Sequence, residues 1–234
     1  MFDLFSDPAK VAQQLDIILN EFGFATWETL YSLVLEVAFA YLIGLPLGVL
    51  LVTGEREGIK PLPKPVMTVL NVVINLLRSV PFIILMVMVI PLTRAIIGTS
   101  VGTAASIVPL TIAAFPFVAR LVESSLREVN PNIIETAQSM GATPLQILLK
   151  VMLPESVPSL ITNFTLAITT IMSYTAMSGA VGGGGLGMIA ITYGYQRYRY
   201  AILYAAVVVL VVVVQVIQSF GTWLATKSDK RLKK

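Results

Sequence analysis

Five apolar stretches, near residues 29–53, 66–92, 101–119, 156–180 and 200–224, dominate this chain of 234 residues. Each is close to or longer than the roughly 20 residues a helix needs to cross a bilayer core. None shows the alternating pattern, about ten residues long, of a barrel strand. Inside hydrocarbon a backbone must satisfy its own N–H and C=O groups, so stretches of this length are expected to be helices. Only 12% of the residues are charged and 56% are hydrophobic, whereas a soluble domain carries about 25% charged residues. The expected fold is all-α, a polytopic membrane protein with five transmembrane helices. It divides into an external or interfacial segment (1–26), a transmembrane domain (27–225) that includes a loop at 129–154, and a basic tail (226–234).

Residues 1–26 begin acidic, with Asp3 and Asp7, and lack the compact apolar core of a cleaved signal peptide. Val11, Leu15, Ile18, Leu19 and Phe22 suit a helix that lies on the membrane surface or packs against another span. The chain has no Cys and no His. That removes disulfides, thiol nucleophiles and the commonest transition-metal ligands, so no metal site or catalytic residue is expected. Gly182, Gly184 and Gly187 formally match a dinucleotide fingerprint, but no strand–helix unit surrounds them. No GxxxxGK[ST] loop occurs, so any ATP-driven motor has to be another polypeptide. Nothing points to nucleic acid.

Lys and Arg placement sets the expected topology. With the C-terminus inside, the inner segments hold Arg56, Lys60, Lys64, Arg120, Arg127, Lys150, Lys227, Lys230, Arg231, Lys233 and Lys234. The outer segments hold Lys10, Arg94, Arg197 and Arg199. The positive-inside rule therefore favours N-terminus outside and C-terminus in the cytoplasm, which puts the 129–154 loop in the cytoplasm. The basic tail suits an anchor near anionic lipid.

That loop reads as two short helices at an angle. Asn130 is a good N-cap with Pro131 at the first helical position. Gly141 can take the left-handed conformation that ends the first helix. Thr143 and Gln146 have capping-box spacing, with Pro144 between them, and apolar Leu145, Leu148, Leu149 and Met152 follow at helical spacing. The loop also reads Glu135-Thr136-Ala137, three residues, Gly141, nine residues, Val151, one residue, Leu153-Pro154. This resembles the EAA loop of ABC-transporter permeases, with Thr136 in place of Ala and Val151 in place of Ile. The resemblance implies that Glu135, Thr136, Ala137, Gly141, Val151, Leu153 and Pro154 form a coupling element that docks on an ATPase subunit.

In the fourth span Thr162, Thr165, Thr169 and Ser173 recur at helical spacing, with Asn163, Thr170, Tyr174 and Met177 on the adjacent stripe. Polar side chains avoid lipid tails, so this face meets either protein or a water-filled pathway. Arg78, followed by Ser79 and Pro81, falls midway along span two, where Pro81 can kink the helix. Arg78 is either structural or pathway-lining, and Glu36 suits a pairing with a neighbouring span. Gly44 and Gly48 form a GxxxG that permits close helix packing.

Three further passages, Asn75 to Phe82, Tyr174 to Gly182, and Gly185-Leu186-Gly187 with Tyr193-Gly194-Tyr195, resemble the methionine-importer branch of these permeases. The likeness runs from about Trp27 to Trp223 and implies a type I ABC importer permease of a bacterial cytoplasmic membrane. It implies a homodimer, two ATPase subunits that bind ATP and Mg, an external substrate-binding lipoprotein, and methionine as substrate. It also implies that Met177 forms the constriction of a pathway along the dimer axis, with Tyr174, Ser173, Thr170, Thr169, Asn163, Arg78 and Ser79 as pathway candidates. Two other readings stay open: a permease for another solute, such as a phosphonate or sulfonate, and a carrier or channel not driven by ATP.

Overall fold

The computed structural model describes residues 8–229. Asp3, Asp7, Lys230, Arg231, Lys233 and Lys234 lie outside the described residues, as do the side chains of Lys10 and Val11. All regular structure among the described residues is helical. In chain order the helices are α1 (Pro8–Thr53), α2 (Lys64–Ser79), α3 (Phe82–Met88), α4 (Ile90–Ile97), α5 (Thr103–Arg127), α6 (Pro131–Ser139), α7 (Pro144–Ile147), α8 (Leu153–Ser178), α9 (Gly185–Met188) and α10 (Tyr200–Ser228). A π-helical turn, Leu148–Met152, joins α7 to α8, and another, Ile189–Gln196, leads from α9 towards α10. Among the described residues four helical runs are long and apolar enough to cross a bilayer, or five if the bent pair α2–α3 counts as one span.

Four element boundaries differ from expectation. First, α1 runs unbroken through residues 26 and 27. Phe22 and Ala25 are buried against Leu186, Ile189 and Ala190, so this stretch packs against other helices, although Leu15 and Leu19 are exposed. Second, the stretch expected to be span two is divided at residues 80 and 81 into two helices, α2 and α3, rather than being one kinked helix. Val80 takes an extended conformation (ψ 127°) before Pro81, because the proline ring crowds the preceding residue out of the α region. Third, α5 continues to Arg127, so Arg120 and Arg127 are helical rather than part of a loop. Fourth, residues 144–154 are continuous with span four, as one apolar run from Pro144 to Val181. Pro154 has no N–H to give to the Lys150 carbonyl, so the widened turn at Leu148–Met152 sacrifices no bond there.

The chain packs as two units. The first comprises Met1–Ala38, Pro81–Ile112 and Thr169–Val216. Its core joins Phe22 and Ala25 of α1 to Leu186, Ile189, Ala190, Ile202 and Ala206. The second comprises Phe39–Val80, Ala113–Ile168 and Ile217–Lys234, with Leu51, Ile74 and Ala119 at its centre. Within it α1 lies directly on α5. A Cβ on Gly44 would fall 2.8 Å from the Phe115 carbonyl oxygen, and one on Gly48 would fall 2.6 Å from that of Ala119. The GxxxG pair is therefore a packing seam between α1 and α5.

Candidate functional site

The EAA-like segment forms a capped bracket in the second unit. The Asn130 side chain accepts from the Asn132 N–H at 3.0 Å, and Pro131 opens α6. At the other end the Gly141 N–H donates to the Gln138 carbonyl (2.9 Å) and the Ala142 N–H to the Ala137 carbonyl (3.1 Å). With Gly141 at φ +78°, this is a Schellman-type stop, which satisfies the last carbonyls of the helix. A Cβ at Gly141 would meet nothing within 4 Å, so backbone conformation, not crowding, calls for glycine there. Thr143 and Gln146 then form the reciprocal capping box of α7, with Thr143 N to Gln146 Oε1 at 2.9 Å and Gln146 N to Thr143 Oγ1 at 3.4 Å.

The bracket is rooted by Ile147 and Met152, both buried, while Ile133, Met140, Leu145 and Leu149 are exposed. Met140 is 82% exposed. Glu135, Thr136 and Pro154 are exposed, and Ala137, Val151 and Leu153 are half-buried. The Thr136 hydroxyl donates to the Asn132 carbonyl, and the Glu135 carbonyl accepts from Ser139. Helix α6 buries none of its residues.

Within the same unit a polar network ties α2, α5 and the loop after α1. The Arg120 guanidinium donates to Glu123 (2.6 Å), Asn71 (2.8 Å) and Asn75 (2.9 Å). Arg127 grips both oxygens of Glu55, at 2.9 and 2.6 Å, and also reaches Glu123. Its hydrogen bonds hold the Glu55 carboxyl below the usual carboxylate range. Sequence reasoning counted these arginines only as topology markers. The signal available was Glu123 three residues after Arg120 and four before Arg127.

Span four does not present its polar residues on a single surface. Asn163 turns to α5 and donates to the Leu121 carbonyl (3.2 Å) and to Ser125 Oγ (2.8 Å). Beside it in the second unit lies a cavity of about 440 Å³, lined by Ser124, Glu128, Glu155, Ser159, Thr162 and Asn163 among others. In the first unit Thr169 and Thr170 are half-buried, and exposed Ser173 donates to the Thr169 carbonyl. The Tyr174 ring stacks on Phe82, with centroids 4.7 Å apart and planes 7° from parallel. Met177 is 40% exposed. Arg78 and Ser79 lie exposed in the last turn of α2, and Arg78 makes no ion pair with the described residues. Among the described residues no cluster of three or more acidic, His or Cys side chains could hold a metal.

After Met177 the chain turns through Gly179–Val181 into Gly182 (φ +91°) and Gly185 (φ +73°). This glycine hairpin is held by residues that sequence reasoning missed. Glu28 accepts from Thr103 Oγ1 (2.9 Å) and from the Gly185 N–H (3.0 Å). Thr29 Oγ1 accepts from the Leu186 N–H at 2.9 Å. A charged residue at the edge of the first apolar stretch was the available signal.

Residues 40–234 match the family described as the binding-protein-dependent transport system inner membrane component. The chain belongs to this family, which makes it a multi-pass membrane protein and the permease subunit of an ABC importer, not an enzyme. Within that class it is 52% identical over 207 residues to the probable D-methionine transport system permease protein MetI of Vibrio cholerae, covering 88% of this chain and 92% of that one. It is 46% identical over 210 residues to the corresponding Pasteurella multocida protein, covering 89% and 96%. Among solved structures it is similar to an inward-facing conformation of the MetNI methionine ABC transporter. That match has TM-score 0.85 and 43% identity and covers 88% of this chain and 94% of the other.

Proposed function

We propose that this chain carries methionine across the cytoplasmic membrane as one half of a permease homodimer, driven by two separate ATPase subunits. The observation that carries this reading is the continuity of helix from the bracket to Met177. The capped turn at Thr143 leads through α7, the π-turn and α8 without a break. A push on the exposed apolar tips of the bracket is thereby delivered along the backbone to the segment around Met177.

In the proposed cycle the bracket residues Glu135 to Pro154 seat in the ATPase subunits from the cytoplasmic side. ATP and Mg are bound there, and this chain supplies no cofactor. ATP binding favours one arrangement of the permease over the other, the only way a ligand shifts a conformational equilibrium. An external binding lipoprotein delivers substrate, so the permease itself binds it weakly. Two Met177 side chains, one from each copy, close the outer half of the pathway, as a flexible thioether can fill an irregular apolar gap. Tyr174 on Phe82 supports that closure from inside each chain.

The test is uptake of radiolabelled D- and L-methionine into vesicles holding this chain, its ATPase and its binding protein. ATP-dependent uptake is expected. Uptake of a phosphonate or sulfonate instead would overturn the substrate, and uptake without the ATPase would overturn the class. Orientation is read in parallel: a cysteine at Ser139 should react with an impermeant reagent only from the cytoplasm, and one at Thr99 only from outside.

A further inference from the structure

We infer that Glu28 and Glu36, on α1, are positioning residues that strap the Thr175–Leu186 segment at both ends and so set the transport coupling of the permease. The inference rests on the reading of Met177 as part of the outer closure. Along one face of α1 within the first unit, Thr29, Ser32 and Glu36 are buried, the last two completely. Glu36 Oε2 accepts from Thr175 Oγ1 at 2.6 Å, two residues before Met177. Glu28 and Thr29 accept from the Gly185 and Leu186 N–H groups, on the far side of the hairpin. Met177 thus sits on a segment fixed at each end to a single helix face.

Between the straps the segment is held mainly through backbone: the Gly183 N–H donates to the Ser178 carbonyl at 2.9 Å, and Gly179 lies against the backbone of Gly187 and Met188. Gly182, Gly183 and Gly184 carry no side chain, and the Gly102 N–H to Gly182 carbonyl bond (2.8 Å) joins backbone to backbone. The hairpin also presses on the residues that bind it. A Cβ on Gly184 would strike Thr103 Oγ1, and one on Gly185 would strike Thr29 Oγ1. Hydrogen bonds of this kind are directional, so a strap is either made or lost.

Glu36 is costly for a residue with only a structural task. Its Oε1 has no hydrogen-bond partner among the described residues. A leucine of similar volume would avoid that burial of an unpaired polar atom, and such exchanges are commonly neutral or stabilising. A positioning role and a purely structural role therefore predict opposite outcomes for one substitution.

The experiment uses the full complex in proteoliposomes and reads melting temperature, radiolabelled methionine uptake and ATP hydrolysis. Glu36→Leu is expected to melt at the same or a higher temperature. Its methionine transported per ATP should fall by roughly fivefold, the change that losing one net hydrogen bond makes in a two-state equilibrium. Glu36→Gln keeps an accepting oxygen for Thr175 and should restore coupling. Glu28→Ala should uncouple and Glu28→Gln should restore. Unchanged coupling in Glu36→Leu or Glu28→Ala overturns the inference, as does a Gln variant as uncoupled as the Leu. If Glu36→Leu does not assemble, Thr175→Val removes the same bond from the other partner and is read the same way. Met177→Ala runs alongside, with raised leak or basal hydrolysis expected. Silence there with uncoupling in Glu36→Leu would overturn the Met177 plug and leave the straps standing. The converse would overturn the straps alone.

Discussion

Helix α1 meets its neighbours by two different chemistries along one face. In the first unit the buried polar residues Thr29 and Glu36 bind neighbouring elements by hydrogen bonds. In the second unit Gly44 and Gly48, four residues apart, bind by backbone proximity. Hydrogen bonds can break and re-form as discrete states, whereas a seam with backbone at van der Waals contact moves only as a body. The difference teaches where this permease can rearrange and where it has to hold. The ion network of Arg120, Arg127, Glu123 and Glu55 lies in the seam's unit and adds to its rigidity.

The largest expected effect attacks the seam. Gly48→Val places atoms against the Ala119 carbonyl and Val122, an overpacking that costs about 1–3 kcal/mol. Thermal melting of the purified complex should fall by several degrees. An unchanged melting temperature would show that α1 and α5 are not tightly seated. Gly141 is the contrasting glycine, because it is needed for its φ of +78° and has open space around it. Gly141→Val should cost about 1–2 kcal/mol at the cap, roughly tenfold in ATP-driven uptake, with the spans still inserted. Gly141→Asn, which tolerates the left-handed region, should retain uptake, whereas Gly48→Asn should not fold normally. Equal tolerance at both sites would erase the distinction.

In the polar half, Thr29→Val keeps the shape but leaves the Leu186 N–H without its acceptor. A loss of about 1 kcal/mol is expected by denaturant or thermal melting. A loss as large as that of Gly48→Val would mean that the first unit is no easier to loosen than the second. The smallest effect belongs to the exposed Arg127–Glu55 pair. Arg127 lowers the Glu55 pKa in the fold. The pair's contribution is therefore present above the unfolded carboxylate value, roughly 4.3, and is lost as pH falls through the lower folded value. It should amount to roughly 0.2–1 kcal/mol after solvent screening. The melting difference between wild type and Glu55→Gln should hold above neutral pH and close in acid. A difference that widened in acid would reverse the assignment.

Much of the capped bracket was legible because its signals are local. Asn130, Gly141, Thr143 and Gln146 act within a few residues of themselves, and every one of these caps is present. Membrane character was equally legible, since it follows from apolar length alone. The partner of Glu36 was not, because Thr175 is 139 residues away. The Asn163 side chain looked like part of a pathway stripe, yet it binds α5, since helical periodicity tells which residues share a face but not what that face meets.

What the sequence determined by itself was the solvent of each segment, the helix ends set by proline and glycine, and the spacing of the EAA-like loop. These depend on one residue type or one short pattern, so they survive without knowledge of neighbours. The tertiary structure decided that residues 80 and 81 divide the second apolar stretch between two helices, that Gly44 and Gly48 face α5 within this chain, and that Glu28 and Thr29 hold the glycine hairpin. Each of these depends on a partner brought close only by folding, and a carboxylate or a glycine offers many partners equally well until the packing selects one.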